Sequence, residues 1–225
     1  YSDLFVANVG ANALYHNLSG ASFDNVADVA GVRTDEVGWF SADAAWSDLD
    51  GDGNLDLFVA SGGDRQPQTD LVYLSNGDGS FRNGTTEAAA LPPQVVSFRS
   101  AAVIGDYDSN GSPDIYATDG MNYPELGNSL FQNQTAGERF IKVIANGKGG
   151  DEGGTNSDGI GVRVLLFDDG GSVAGTRKIQ SPNGVIFGVE PGRAYRIQVT
   201  FPVTGSIVER SDVVGGIDTI RIVEP

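Results

Sequence analysis

The chain has no cysteine, so neither a disulfide framework nor a Cys-ligated zinc or iron–sulfur site is open to it. Its single histidine is His16. A His-based zinc site or a Ser-His-Asp triad within one chain therefore has almost no material to work with. No apolar run approaches the ~20 residues of a membrane-spanning helix, which argues against membrane insertion. Basic side chains are scarce where acidic ones are dense. Residues 1–135 hold 19 acidic against 4 basic side chains and residues 136–225 hold 11 against 10, within a net charge of −16 over 225 residues. An acidic first half of this kind repels nucleic acid and anionic membrane. The chain opens on Tyr1 rather than Met and shows no signal peptide, which fits a processed mature form or a fragment.

What is present in quantity is glycine, 32 residues, beside a hydrophobic content of 40%, the composition of a turn-rich β protein rather than a helical one. The acidic excess concentrates in two short stretches, Asp48-Leu49-Asp50-Gly51-Asp52-Gly53-Asn54-Leu55-Asp56 and, 58 residues on, Asp106-Tyr107-Asp108-Ser109-Asn110-Gly111-Ser112-Pro113-Asp114. Counting from the first aspartate, oxygen-bearing side chains stand at positions one, three, five and nine, with glycine at six. Hard cations such as Ca²⁺ take six to eight oxygen ligands, and alternate acidic positions on a tight loop supply them. The glycine permits the positive-φ turn that wraps backbone around an ion. An EF-hand would continue into a helix and carry glutamate at position twelve. Here position twelve is Val59 or Ala117, and an apolar strand follows at once. The expected ligands are Asp48, Asp50, Asp52 and Asp56 in the first loop and Asp106, Asp108, Asn110 and Asp114 in the second, with backbone carbonyls from Asn54 and Ser112. Two structural Ca²⁺ ions are expected, the second held more weakly because Asn110 replaces an aspartate and Pro113 sits at position eight.

The loops belong to a repeat. Asp3-Leu4-Phe5-Val6-Ala7, Asp56-Leu57-Phe58-Val59-Ala60 and Asp114-Ile115-Tyr116-Ala117 share one pattern. Each leads to a second strand ending in asparagine: Leu14–Asn17, Tyr73–Asn76 and Leu130–Asn133. On this alignment His16 stands where Ser75 and Gln132 stand, a partly exposed strand end. Strands of small residues, Phe40–Trp46 and Phe98–Ile104, precede the two loops. Repeats of this length with about four strands each predict propeller blades. The fold expected is all-β: about two full blades plus one incomplete over residues 1–135, then a β-sandwich-like domain over 136–225. In the second part seven strands alternate with turns: Phe140–Ala145, Gly161–Phe167, Val173–Ile179, Val185–Val189, Tyr195–Phe201, Ile207–Ser211 and Thr219–Val223.

The loops and the strands after them resemble the FG-GAP/VCBS repeats of integrin α-subunit propellers, which bind Ca²⁺ between the first two strands of a blade. Phe140-Ile141-Lys142-Val143, Asn156-Ser157-Asp158-Gly159-Ile160-Gly161 and Val199-Thr200-Phe201-Pro202 resemble the ASPIC/UnbV domain, which commonly follows such repeats in the cartilage acidic protein family. The resemblance implies an extracellular or cell-surface location and a non-enzymatic adhesion or assembly role. Asp3 corresponds to position nine of a loop whose remainder and inner strand are missing, which leaves Leu4–Val9 as an unpaired apolar edge. Either the sequence is the end of a longer propeller, or a neighbouring copy completes it, giving a ring or a filament.

Other residues carry weaker signals. Asn17, Asn83 and Asn133 open glycosylation triplets, which matter only in a secreted, glycosylating host. Trp46 aligns with Ile104 and reads as core, whereas Trp39 is the better candidate for stacking on a ligand such as a glycan. Asp151 and Glu152, in a glycine-rich loop, are candidates for a third cation site. Two other functions stay open: a lectin-like or protein-binding propeller, and a sugar-active enzyme drawing a general acid and base from Asp64, Asp70, Glu87 or Asp119.

Overall fold

A computed structural model describes residues 2–34, 38–62, 68–85, 96–120, 127–135, 139–150, 153–216 and 219–225. Close contacts divide the chain into two units. One comprises Tyr1–Leu49, Leu55–Gly105 and Asp114–Gln134; the other comprises Asp50–Asn54, Asp106–Pro113 and Thr135–Pro225.

The first unit is built from short antiparallel sheets. Strands β1 (Leu4–Val6), β2 (Ala13–Leu18) and β3 (Ser22–Asn25) form one, followed by a single helical turn, α1 (Ala27–Ala30), that ends at Gly31. The middle sheet has the order β4 (Ser41–Ser47), β5 (Asp56–Ser61), β7 (Leu71–Ser75), β8 (Phe81–Asn83), and a short β6 (Gln68–Thr69) pairs apart from it with β9 (Val96–Ser97). The third sheet is β10 (Arg99–Gly105), β11 (Asp114–Asp119) and β12 (Ser129–Phe131). Every residue of β5 is buried, because this sheet has a neighbour on each face. Leu57, Val59 and Tyr73 pack with Leu14, Ala27, Ala30 and Val32 on one side. Phe58, Ala60, Val72 and Leu74 pack with Ile115, Ala117 and Phe131 on the other. Full burial of a Leu or Phe side chain is worth about 1.5–3 kcal/mol, so these two faces carry much of the unit's stability. Trp46 is half-buried between the rings of Phe5, at 6.4 Å, and Phe81, at 6.0 Å, and so belongs to the first of these faces. The inner strands β4 and β10 are joined where Ala102 N–H donates to Asp43 Oδ2 at 3.0 Å.

The register revises two expectations. Leu4 pairs with Tyr15, Leu57 with Tyr73 and Ile115 with Phe131. That equivalence sets His16 level with Leu74 and Gln132, not with Ser75, because pairing with the strand before it, rather than the terminal asparagine, fixes the frame. Along the expected edge Leu4–Val9, strand pairing covers only Leu4–Val6, and Val9 makes an isolated bridge to Phe40. Leu4 is 52% exposed.

The second unit holds two further sheets. One has the order β16 (Val185–Gly188), β13 (Phe140–Asn146), β19 (Thr219–Val223); the other is β15 (Val173–Lys178), β14 (Arg163–Phe167), β17 (Ala194–Thr200), β18 (Ile207–Val214). All pairs are antiparallel except β13 with β19. Strict alternation in β13 and β17 sends Ile141, Val143, Tyr195, Ile197 and Val199 into one shared core with Val164, Leu166, Phe187 and Ile222. The C-terminal segment is fastened by buried Glu224. Its Oε2 accepts from Lys148 N–H at 2.9 Å and Thr155 N–H at 2.8 Å, and its Oε1 from the hydroxyls of Thr155 and Thr204. Burial opposes the charged form, but these hydrogen bonds outweigh it and hold the carboxyl below its ordinary range.

Candidate metal centre

Each acidic loop folds by the same local rules. Gly53 and Gly111, at the sixth position, have φ of 95° and 92°, a region open to glycine and strained for other residues. Asx turns link alternate residues. Asp52 N–H donates to Asp50 Oδ1 at 3.2 Å and Asn54 N–H to Asp52 Oδ1 at 2.8 Å in the first loop. In the second, Asn110 N–H donates to Asp108 Oδ1 at 3.1 Å and Ser112 N–H to Asn110 Oδ1 at 2.8 Å. The turns bring positions one, three and nine together. Asp48, Asp50 and Asp56 each place a carboxylate oxygen within 4.8 Å of the others, and Asp106, Asp108 and Asp114 do the same. Asp48, Asp56 and Asp114 are at most 1% exposed. Asp52, at position five of the first loop, lies outside its group. Asp52 is exposed and accepts from the Asn54 side chain, and Asn110 Nδ2 donates to Asp108 Oδ2 at 3.2 Å. Ser112 is buried, with its hydroxyl donating to Thr135 O at 2.6 Å. The donor set is all oxygen, hard and anionic, which suits Ca²⁺ and gives soft metals nothing to select. Two acidic triads can thus hold a metal ion.

The ninth position has a second task. Asp3, Asp56 and Asp114 each offer Oδ1 to a backbone N–H of the next strand, from Asn17, Ser75 and Asn133 respectively, every time at 2.8 Å. Asp56 Oδ2 also accepts from Leu49 N–H at 2.7 Å. The carboxylate therefore ties loop, inner edge and following strand together, whatever else it ligates.

Asn133 corrects the glycosylation expectation. It is 2% exposed, and Nδ2, the atom a glycan would occupy, donates to Leu49 O at 2.8 Å, so the folded chain has no room for a sugar there. Asn83 is exposed, and half-buried Asn17 donates through Nδ2 to Ser2 O. His16 is exposed, with Nδ1 at 3.1 Å from Asp3 Oδ1. Trp39 is half-buried, and its indole N–H has no acceptor among the described residues.

Asp70 and Asp119, two of the four acid–base candidates above, instead flank a guanidinium that the sequence does not single out. Arg99 is 1% exposed. Its Nε donates to Asp70 Oδ2 at 2.9 Å, its Nη1 to Asp119 Oδ1 at 3.5 Å and its Nη2 to Ser129 Oγ at 2.9 Å. Burial pushes the Asp70 carboxyl up, against the pull of Ser61 N–H and Arg99. The signal for this cluster was the run Phe98-Arg99-Ser100 at the head of an inner strand, where a charge has to find partners. Asp64, Glu87, Asp151 and Glu152 lie outside the described residues.

Comparison with known proteins adds one finding. No curated protein matches the chain. The model of the FG-GAP-like repeat matches it twice, over residues 1–59 and 48–117, and the two matches overlap on the first acidic loop. Those spans take in the strand-loop-strand units described above, and the chain belongs to the FG-GAP-like repeat family.

Proposed function

We propose that this chain is an extracellular, non-enzymatic structural module for adhesion or assembly, with one structural Ca²⁺ in each acidic loop. The observation that carries the reading is the recurrence of one carboxylate triad, at loop positions one, three and nine, in repeat-equivalent places. Repeats of the FG-GAP type are structural and typical of extracellular proteins, and among the described residues no helix is long and apolar enough to cross a membrane. The commitment of Asp70 and Asp119 to Arg99 further supports a non-enzymatic role. The two facing sheets after residue 135 support the likeness to an ASPIC/UnbV domain. Calorimetry on metal-free protein is expected to show two Ca²⁺-binding events, with Asp50→Ala removing one and sparing the other. Two events that survive the substitution would sink the assignment.

The assembly part of the reading rests on the blade faces. Phe58 pairs with Val72, and both lie under the third sheet at 2% and 3% exposure. The equivalent row of the third sheet, Val103, Tyr116 and Leu130, is 60%, 41% and 46% exposed. At the opposite end of the stack Leu4, equivalent to fully buried Leu57, is open as well. A second copy that sets its Leu4 face on the Val103 row would continue the existing packing, a heterologous contact that makes a ring or filament. Light scattering should show association that grows with concentration and is abolished by Val103→Asp. A monomer at all concentrations rules this out.

A further inference from the structure

The second loop has a cationic neighbour that its own sequence does not show. Lys142, on β13, places Nζ 3.0 Å from Asp106 Oδ2, the first ligand position of the second loop. The pair is sheltered, with side-chain exposures of 13% for Lys142 and 3% for Asp106. The other oxygen of Asp106 accepts from Gly111 N–H at 3.3 Å. Lys142 is held in place from both sides, because β13 is the central strand of its sheet and pairs at this residue with Ile186 and with Thr219.

We infer that Lys142 is a built-in counter-cation of the second loop, which lowers that loop's affinity for Ca²⁺ and keeps it folded when the ion is absent. The inference rests on the metal reading above. The second loop carries three carboxylates where the first carries four, and the ammonium cancels one of those three. Affinity in oxygen-ligand loops is tuned by the charge of the ligand set. A divalent ion entering beside Asp106 either meets a fixed positive charge at close range or must turn it out toward water. The flexible stem of lysine allows the second course, so the site is weakened rather than closed. The second loop then fills at a higher free Ca²⁺ than it would without the Asp106–Lys142 pair.

The test is run in the Asp50→Ala background, where the second loop supplies the remaining calorimetric event. Adding Lys142→Met should tighten that event at least about tenfold, the lower bound reached when a unit charge is removed from within ~5 Å of a divalent ion even at the dielectric of bulk water. Lys142→Arg, which keeps the charge, should leave it unchanged. In chelator, Lys142→Met should melt below its parent, and in saturating Ca²⁺ the two should converge. Lys142→Gln gives the same readouts if the methionine variant does not fold. An event that is unchanged or weaker in the neutral variants overturns the inference while leaving the metal reading intact. Absence of any Ca²⁺ heat in the native chain overturns both.

Discussion

Replacing Arg99 with alanine should destabilise the first unit by about 3–5 kcal/mol, the range found when one partner of a buried ion pair is removed. The cost comes less from lost contacts than from what stays behind. Asp70 and Asp119 have side-chain exposures of 10% and 8%, so neither carboxylate can reach water for compensation. Asp119 Oδ2 already has no donor among the described residues. The guanidinium also lies over the Phe131 ring at 5.5 Å, so alanine opens a gap beside the face that packs on β5 and β7. Lysine should not rescue the site, because one ammonium cannot span Asp70, Asp119 and Ser129 in the plane of a fork. The loss should also depend on pH. The folded Asp70 carboxyl lies above its ordinary value of 3.8, so between that value and the raised one the folded state holds a proton that the unfolded chain has released. Its charged form thus counts against stability at neutral pH, and that penalty is relieved as pH falls through the raised value. Without Arg99 the carboxyl rises further, and the gap between variant and native chain should narrow on acidification. Denaturant titrations at neutral and mildly acidic pH measure both effects. A loss below about 1 kcal/mol, the scale of an exposed pair, would mean that Arg99 is not buried in solution.

Why were the partners of Arg99 invisible in the sequence while the acidic loops were not? The loops are local. Their carboxylates stand two to eight residues apart, and alternate spacing with glycine at the sixth position dictates an Asx-turn loop whatever surrounds it. The seven strands of the second unit are local too, because alternation marks a half-buried strand wherever it lies. The Arg99 cluster joins residues 29 and 20 positions away, and no periodicity encodes such a meeting. The same holds for the parallel pairing of β13 with β19, which brings Lys142 beside Thr219. Asn133 misled for a related reason: a three-residue triplet says nothing about burial, and Nδ2 is claimed by Leu49, 84 residues earlier. His16 shows the limit for repeats, where identical end residues suggested one frame and backbone pairing set another.

Withdrawing Ca²⁺ with a chelator should lower the melting temperature but leave the chain folded at room temperature. The loops supply both halves of that expectation. Oxygens of three carboxylates lie within 4.8 Å of one another, and two unit charges at that distance repel by about 3 kcal/mol at an effective dielectric of 20. Against this stand the backbone donors. Asp56 takes N–H groups from Leu49 and Ser75, and Asp114 takes one from Asn133. Hydrogen bonds to charged groups are worth about 1.5–3 kcal/mol each. These hydrogen bonds offset part of the repulsion, so the metal-free loops are loosened rather than undone. An ion that binds only the folded state adds RT ln(1 + [L]/Kd), about 2.7 kcal/mol at a hundred times Kd and about 0.4 kcal/mol at Kd itself. With the first loop saturated, removal should cost about 5–10 °C, taking ~2–4 °C per kcal/mol for a chain of this size. The second loop, partly neutralised by Lys142, should add less at the same Ca²⁺ concentration. Asp50→Ala should therefore melt near the chelated native protein and respond to chelator only weakly, and Ca²⁺ restored to the native chain should recover the full transition. A melting curve indifferent to chelator would leave the triads as acidic turns held by their own hydrogen bonds, with no ion in either.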